Sequence, residues 1–281
     1  MRIFIIAVAL VSNSAMAFVS GPSSVSAGEQ YISIGTQAER GKVEPNENKN
    51  SVQDAQINIH KLKYARGLEN LPGLRTSNVY FEYGNFNSAQ EQVGNTLFYE
   101  KDQGSYLTLG LAGDILHEVD RQFGLYVQIS PSRTYNKNKF SNPRLDLFAL
   151  GITSAFNITD NFFQKNLIHY GSGDRPSQNA YLAVDTGLGY RLNHLTGRQF
   201  TVTGSLFIEA DMTERTDPAY DAAFTPAGNQ DRVRAFKYGT VLGADIALTR
   251  KVNLNINYLQ KIGGYDARST SIYTANIGYK F

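Results

Sequence analysis

Long runs in which apolar and polar residues strictly alternate are the feature that most limits how this chain can fold. In KVNLNINYLQ, residues 251–260, four apolar side chains alternate with Asn253, Asn255 and Asn257. Successive side chains of a β-strand point to opposite faces, so period two predicts a strand with one apolar face and one polar face. Runs of the same kind span residues 181–192, 199–211 and 236–249.

The length of these runs separates a membrane protein from a soluble one. Strands in soluble proteins usually have about 5–6 residues, whereas a tilted strand that crosses a bilayer needs about 9–11. Strands can cross lipid only as a closed barrel, because every backbone group must be paired. Small and polar residues form the face that a barrel would enclose here. The sequence therefore predicts an all-β fold, a closed antiparallel transmembrane β-barrel whose N- and C-termini lie in the periplasm.

Twelve strands fit the pattern, an even number as expected for a bacterial single-chain barrel. Tight turns are predicted at 118–121, 157–161, 193–197 and 249–250, and longer polar loops at 41–50, 88–103, 135–142 and 213–231. Residues 66–75 interrupt this alternation, and ten or fourteen strands remain alternatives. The strands are placed near 29–40, 51–65, 75–87, 104–118, 121–134, 143–157, 160–170, 178–192, 198–212, 232–248, 251–264 and 269–281.

The N-terminal residues have the three parts of a secretory signal peptide. Arg2 precedes the apolar stretch 3–11, and Ala15-Met16-Ala17 forms an Ala-x-Ala site. We expect cleavage after Ala17, which removes residues 1–17. Residues 18–28, FVSGPSSVSAG, are rich in Ser and Gly and predict a flexible tail before a single barrel domain at 29–281. A tail that enters the barrel is the alternative.

The last strand ends on a row of apolar side chains. In SIYTANIGYKF, residues 271–281, the alternation places Tyr273, Ile277, Tyr279 and Phe281 on the face toward lipid. The stretch resembles the terminal recognition signal of Gram-negative outer-membrane β-barrels, which ends in an aromatic residue. That resemblance implies an outer-membrane location, assembly by the barrel-assembly machinery with periplasmic chaperones, and pairing of the last strand with the first.

The enclosed face carries the candidate functional residues. Charged residues at membrane depth are costly unless they face water or each other, so they point to a water-filled pore. Glycines on the same face, among them Gly110, Gly187 and Gly189, are expected to leave space for it. A narrow barrel filled by ion-paired side chains is the alternative. The pore candidates are Glu82, Asp114, Asp185, Arg191, Glu209, Lys237, Asp245, Asn253, Asn255 and Asn257.

A hydrolase is the second functional class. LIHYGSGDRP, residues 167–176, is loosely similar to the His-x-Ser-Asn-Gly region of outer-membrane phospholipases. Ser172 stands three residues after His169 instead of two, so on a regular strand the two side chains point to opposite faces. Gly173 and Asp174 replace the Asn-Gly pair. We therefore interpret this stretch as a polar outer loop and expect no enzymatic activity.

Other classes find little support in the sequence. The loop 213–231 is a candidate for surface recognition, although its acidic residues lack metal-site spacing. The chain has no cysteine, and its formal charge of +2 comes with no basic tract for nucleic acid. No cofactor motif is present. The sequence therefore predicts a porin-like passive channel for small hydrophilic solutes, surrounded by outer-membrane lipids, and leaves its oligomeric state open.

Overall fold

Twelve strands account for nearly all of the chain that the structure describes. The computed structural model describes residues 25, 27–43, 52–69, 71–93, 98–118, 120–134, 146–173, 180–193, 199–212, 236–265 and 269–281. The strands are β1 Gln30–Val43, β2 Val52–Leu68, β3 Thr76–Val93, β4 Phe98–His117, β5 Arg121–Arg133, β6 Asp146–Asn157, β7 Phe162–Gly173, β8 Tyr181–Arg191, β9 Phe200–Asp211, β10 Phe236–Ala247, β11 Val252–Tyr265 and β12 Ser269–Lys280. No helix in these ranges is long and apolar enough to cross a membrane.

The strands form one closed barrel in which each strand pairs with its sequence neighbours and β1 pairs with β12. All of these pairings are antiparallel, and the closing ladder runs from Tyr31↔Lys280 to Lys42↔Ser269. Gln30 and Phe281 exchange backbone hydrogen bonds of 3.2 and 3.0 Å beside it. The predicted closed antiparallel barrel of twelve strands is confirmed. The predicted signal peptide, most of the tail 18–28 and the loop 213–231 lie outside the described residues.

Two predicted boundaries were wrong. Residues 88–103 were expected to form a long loop, yet β3 and β4 continue through most of this stretch. Their ladder is unbroken from Ser88↔Asp102 to Gln92↔Phe98. The stretch is polar in sequence, so hydrophobic alternation gave no signal for the strand that the backbone ladder shows. The strand predicted near 160–170 was also ended too early, since β7 extends through Gly173.

The outer surface of the barrel is apolar. Ile34, Leu206 and Leu242 expose 63, 61 and 60% of their surface, although they lie in the middle of strands. Hydrocarbon outside the barrel would solvate such side chains, as in outer-membrane proteins. Each of the other strands contributes to the same surface, with Leu62, Phe81, Leu109, Leu125, Leu150, Ile168, Leu188, Ile256 and Ile277.

The interior is less uniformly polar than the sequence predicts. Aromatic residues project inward from seven strands and are almost fully buried: Tyr31, Tyr80, Tyr106, Tyr126, Phe163, Tyr181 and Phe207. Most of these rings lie directly over a glycine of an adjacent strand. A Cβ atom on Gly110, Gly151 or Gly189 would overlap the ring of Tyr80, Tyr126 or Phe163, respectively. The expectation that interior glycines leave open space was therefore wrong, because rings occupy it at Gly110 and Gly189 and Ser205 occupies it at Gly187.

Strand β2 requires a further correction. Its alternation changes phase near Lys61, which at the sequence level indicates either a bulge or a misread register. The ladders of β2 with β1 and β3 are continuous, so no bulge is present. Ile57, Ile59, Lys61 and Lys63 all face the interior, since apolar residues line the barrel wall in this region. Register shifts occur instead in the ladders β4–β5, β6–β7 and β10–β11.

Candidate functional site: the barrel interior

All ten pore candidates lie on the interior face of the barrel. Glu82, Asp114, Asp185 and Asn257 are among the buried polar residues, at 6, 5, 2 and 4% exposure. Lys237, Asp245 and Asn253 contact other interior side chains, as described below. This placement follows from the strand alternation. Their role in lining an open pore stays a prediction.

Two interior carboxylates form ion pairs across neighbouring strands. Glu209 on β9 lies 3.1 Å from the Nζ atom of Lys237 on β10. Glu82 on β3 lies 4.0 Å from Lys61 on β2 and accepts a hydrogen bond of 2.9 Å from the Tyr106 hydroxyl. Buried charges of this kind are tolerated because each has a partner of opposite sign. These pairs favour an interior in which charges are fixed in place by the wall.

A second acidic group involves Asp185 and Asp245. Ser205 donates to Asp185 at 3.0 Å, and the Asn255 amide donates to Asp245 at 2.5 Å. Lys165 on β7 is close enough to interact electrostatically with both carboxylates. The group therefore combines two carboxylates with one ammonium.

Amides extend this group along β11 and to the neighbouring strands. Asn257 donates to Asn255 at 2.5 Å, and Asn276 of β12 contacts the same oxygen at 3.4 Å. Asn253 bonds the Tyr31 hydroxyl of β1. The alternating asparagines in the sequence thus become a polar row on the inner wall. Amides of this kind can exchange hydrogen bonds with polar solutes without imposing a charge.

Asp114 and Arg191 hold the end of the barrel where the turns are short. Asp114 accepts hydrogen bonds from Thr76 at 2.7 Å and from Gln122 at 2.9 Å, and it contacts His117 at 2.9 Å. The Arg191 guanidinium donates to the carbonyl of Asp160 and to the side chain of Asn157. Both residues are thus engaged by neighbouring strands and turns, and part of their function is structural.

A buried polar cluster of four residues in the described interior was not recognised from the sequence. His169 is fully buried, with Tyr126 at 2.6 Å from its Nδ1 atom and Asp146 at 3.2 Å from its Nε2 atom. The Tyr181 hydroxyl donates to Asp146 at 2.9 Å and lies 3.0 Å from Nε2. With the ring proton on Nε2, Nδ1 accepts a hydrogen bond from the Tyr126 hydroxyl and Nε2–H faces the oxygens of Asp146 and Tyr181. Every contact then pairs a donor with an acceptor. The sequence held one indication of it: His169 lies two and four residues after Leu167 and Lys165, so the three side chains share one face of the strand.

The structure does not bring His169 and Ser172 together. The Ser172 hydroxyl donates to the carbonyl of Phe148 and accepts from its backbone N–H, both at 3.0 Å. A serine nucleophile needs a base within hydrogen-bond reach, and the two nitrogens of His169 are engaged elsewhere. The interpretation of this stretch as an outer loop was wrong, because both residues lie in β7. The three-residue spacing predicts opposite faces for the two side chains, and in the structure they share no hydrogen-bond partner.

The C-terminal residues and Val25 of the predicted tail lie on opposite sides of the barrel wall. The terminal residues Tyr273, Ile277, Tyr279 and Phe281 expose 42–52% of their surface on the outside of the barrel. Val25, which falls in the predicted tail, is 2% exposed and belongs to a buried apolar cluster with interior residues. No group of three or more His, Cys, Asp or Glu side chains that could hold a metal occurs in the described part of the chain.

A closed antiparallel barrel with an apolar exterior and a charged interior is the architecture of transmembrane β-barrels. Solved outer-membrane barrels share this fold. The COG4313 outer membrane channel from Pseudomonas putida F1 matches with a TM-score of 0.66 and 11% identity, over 92% of this chain and 97% of that chain. The β domain of the Bordetella autotransporter BrkA matches at 0.56 and 14% identity, over 91% and 100%.

The translocator domain of the autotransporter NalP from Neisseria meningitidis matches at 0.51 and 13% identity, over 92% of this chain and 90% of that chain. No protein-family model matches the sequence, and no curated protein matches it either. At these identities the likeness establishes the fold of an outer-membrane barrel.

Proposed function

We propose that this protein is a passive channel for small hydrophilic solutes in the outer membrane of a Gram-negative bacterium. The observation that carries the proposal is the inversion of the barrel, with exposed Ile34, Leu206 and Leu242 outside and charged Glu82, Asp185 and Lys165 inside. Charged side chains at membrane depth are costly, and in outer-membrane channels such charges line an aqueous path and tune which ions pass. The solved barrel with the highest TM-score quoted above is an outer membrane channel, which supports the same proposal.

The proposal includes a route to the membrane. Residues 1–17 are removed as a signal peptide, periplasmic chaperones carry the chain, and the barrel-assembly machinery reads the strand that ends in Phe281. Both termini then face the periplasm, so the short turns do so as well. The proposal assigns no reaction to the barrel, since the Ser172 hydroxyl is engaged by the Phe148 backbone.

The interior aromatics limit the size of the solute. Rings such as Tyr80, Tyr126 and Phe163 cover glycines of the wall, so the passage is narrower than twelve strands alone would allow. A channel of this kind passes ions and small polar molecules, and a large oligosaccharide is outside its range.

Planar-bilayer recordings test the proposal directly. Folded protein lacking residues 1–17 is added to a bilayer in KCl, and discrete conductance steps are expected. If the cation-to-anion permeability ratio changes when interior carboxylates are neutralised, the current passes through the barrel and not through a leak around it. Folded protein that inserts but gives no steps would favour the alternative of a closed structural barrel.

A further inference from the structure

Val25 precedes the first strand and is nevertheless buried. It exposes 2% of its surface and belongs to an apolar cluster that contains Tyr31 of β1, Ala65 of β2 and Tyr80 of β3. The side chains of these three residues point into the barrel, and Tyr31 and Ala65 pair near the end where the turns are short. An apolar residue from outside the sheet therefore packs against the inner wall at that end.

A backbone turn brings the chain to this position. Residues 27–28 form the turn, and Gly28 has a φ angle of +77°, which residues with a side chain rarely adopt. The Gly28 N–H donates to the Gly67 carbonyl at 3.4 Å, and the Gly67 N–H donates to the Glu29 carbonyl at 2.9 Å. The turn is thus attached to the end of β2, and it directs the chain away from the line of β1.

The residues after the turn are attached to the last strand as well. The Glu29 carboxylate lies 2.5 Å from the Nζ atom of Lys280, and Gln30 exchanges backbone hydrogen bonds with Phe281. Both neighbours of β1 therefore hold the chain at this point. We call Val25 and residues 27–29 the N-terminal strap.

The strap covers one sector of the barrel mouth. Three residues separate Val25 from the turn at Gly28, and a chain of that length spans at most about 10 Å. On the near side of the mouth, Ala65 exposes 1% of its surface, whereas Arg191 and Asn253 on the far side are only partly buried. The mouth is therefore covered beside β1–β3 and remains partly accessible beside β8 and β11.

We propose that the N-terminal strap is an autoinhibitory element that narrows this mouth of the channel. Val25 is the anchor, because its apolar side chain would contact water if the strap swung away from the barrel. Gly28 is the hinge, and the strap can move about it without breaking a strand. The inference rests on the proposed channel and adds a device that limits its flow. In the orientation proposed above, the narrowed mouth faces the periplasm.

Thiol labelling tests the position of the strap without requiring a channel. The chain has no cysteine, so each variant carries a single reactive thiol. Val25→Cys places the thiol at the buried anchor, and Ala27→Cys places it in the exposed turn two residues away. We expect a bulky water-soluble maleimide to label Val25→Cys at least about tenfold more slowly in the folded barrel, because labelling requires the strap to open. Equal rates would overturn the inference.

The hinge is tested by Gly28→Ala, with Gly73→Ala as its matched control. The two glycines have φ angles of +77 and +80°, and nothing lies within 4 Å of an added Cβ, so alanine strains both backbones alike. Gly73 lies in the turn between β2 and β3, outside the strap. Combined with Val25→Cys, Gly28→Ala should speed labelling by about fivefold or more, and Gly73→Ala should leave the rate unchanged. The same rate in both variants would contradict the hinge.

Single-channel recording in KCl measures the effect of the strap on flow. Val25→Asn replaces the apolar anchor with an uncharged polar side chain, and Ala27→Asn introduces the same side chain at the exposed position. The strap lies beside β1–β3, a quarter of the twelve-stranded rim, so its release should raise the conductance by about a third. Ala27→Asn should conduct like the native chain.

The inhibitory role and the channel can fail separately in these experiments. Equal conductance of the native chain and Val25→Asn would overturn the inhibitory role and leave the channel standing. Rapid labelling of Val25→Cys would overturn the strap whatever the conductance. No conductance in any variant, with Val25→Cys still protected, would contradict the channel and support only the packing of Val25 inside the mouth.

Discussion

At the scale of single residues, aromatic rings and glycines act as pairs on the inner wall. Phe163 of β7 and Gly189 of β8 pair across the ladder, and the ring lies over the glycine with the Arg191 guanidinium 4.7 Å from its centre. The sequence places Gly189 on the inner face correctly. It does not predict the ring, because which neighbour covers a glycine depends on register between strands and not on alternation within one strand.

Replacing Gly189 with valine should therefore destabilise the barrel. The added side chain would overlap the Phe163 ring, and overpacking of this kind costs about 2 kcal/mol. Gly204→Val is the matched control, since its nearest neighbour is a Leu242 methyl group at 3.7 Å on the outer face. Urea titration in lipid vesicles, followed by circular dichroism, measures both. Equal stability of the two variants would show that the ring moves aside freely.

His169 offers a second residue-scale prediction. His169→Leu leaves the Tyr126 hydroxyl without its acceptor and the Asp146 carboxylate without its ring N–H, both in a buried setting. We expect the free energy of unfolding to fall by about 3 kcal/mol. His60→Leu, on the outer face of β2, should have little effect. A neutral outcome for His169→Leu in the same urea titration would mean that water replaces the imidazole.

At the scale of elements, alternation predicts strands well wherever one face meets lipid. β8, β9 and β11 were located within a few residues of their bounds because their outer faces are mostly apolar. β3 and β4 were predicted too short, since their extension by backbone pairing past Ser88 has no apolar outer face. β2 was hard to read for the opposite reason, as Ile57 and Ile59 point inward. Alternation therefore fails where the outer face is polar, as in the extension of β3 and β4, or where the inner face is apolar, as in β2.

The terminal strand gives the element-scale prediction. β12 closes the barrel on β1, and the Phe281 backbone exchanges hydrogen bonds with Gln30. Deleting Phe281 removes both bonds and the aromatic end of the strand, so we expect less folded protein in the outer membrane. Phe281→Tyr keeps the backbone and the ring and should assemble normally. The measurement is the amount of barrel that resists unfolding in cold detergent, and equal amounts for the deletion and the native chain would contradict an assembly role.

At the scale of the whole molecule, the interior charges are arranged as groups that nearly balance. Lys61 and Lys63 interact with Glu82, Lys237 lies by Glu209, and Lys165 interacts with the two carboxylates Asp185 and Asp245. The third group has one more negative charge than positive charge. Field lines in a narrow low-dielectric tube are focused, so a single excess charge affects the passage of every ion.

The last prediction follows from that excess. Changing both Asp185 and Asp245 to asparagine removes two negative charges and leaves Lys165 as the dominant charge of the group. We expect the ratio of cation to anion permeability to fall by about twofold or more, as for charged rings in selectivity filters. The reversal potential in a KCl gradient measures this ratio, with Glu118→Gln in the exposed turn as the control. If the double variant keeps the native reversal potential while it still conducts, ions do not pass this group, and the aqueous path lies along another part of the wall.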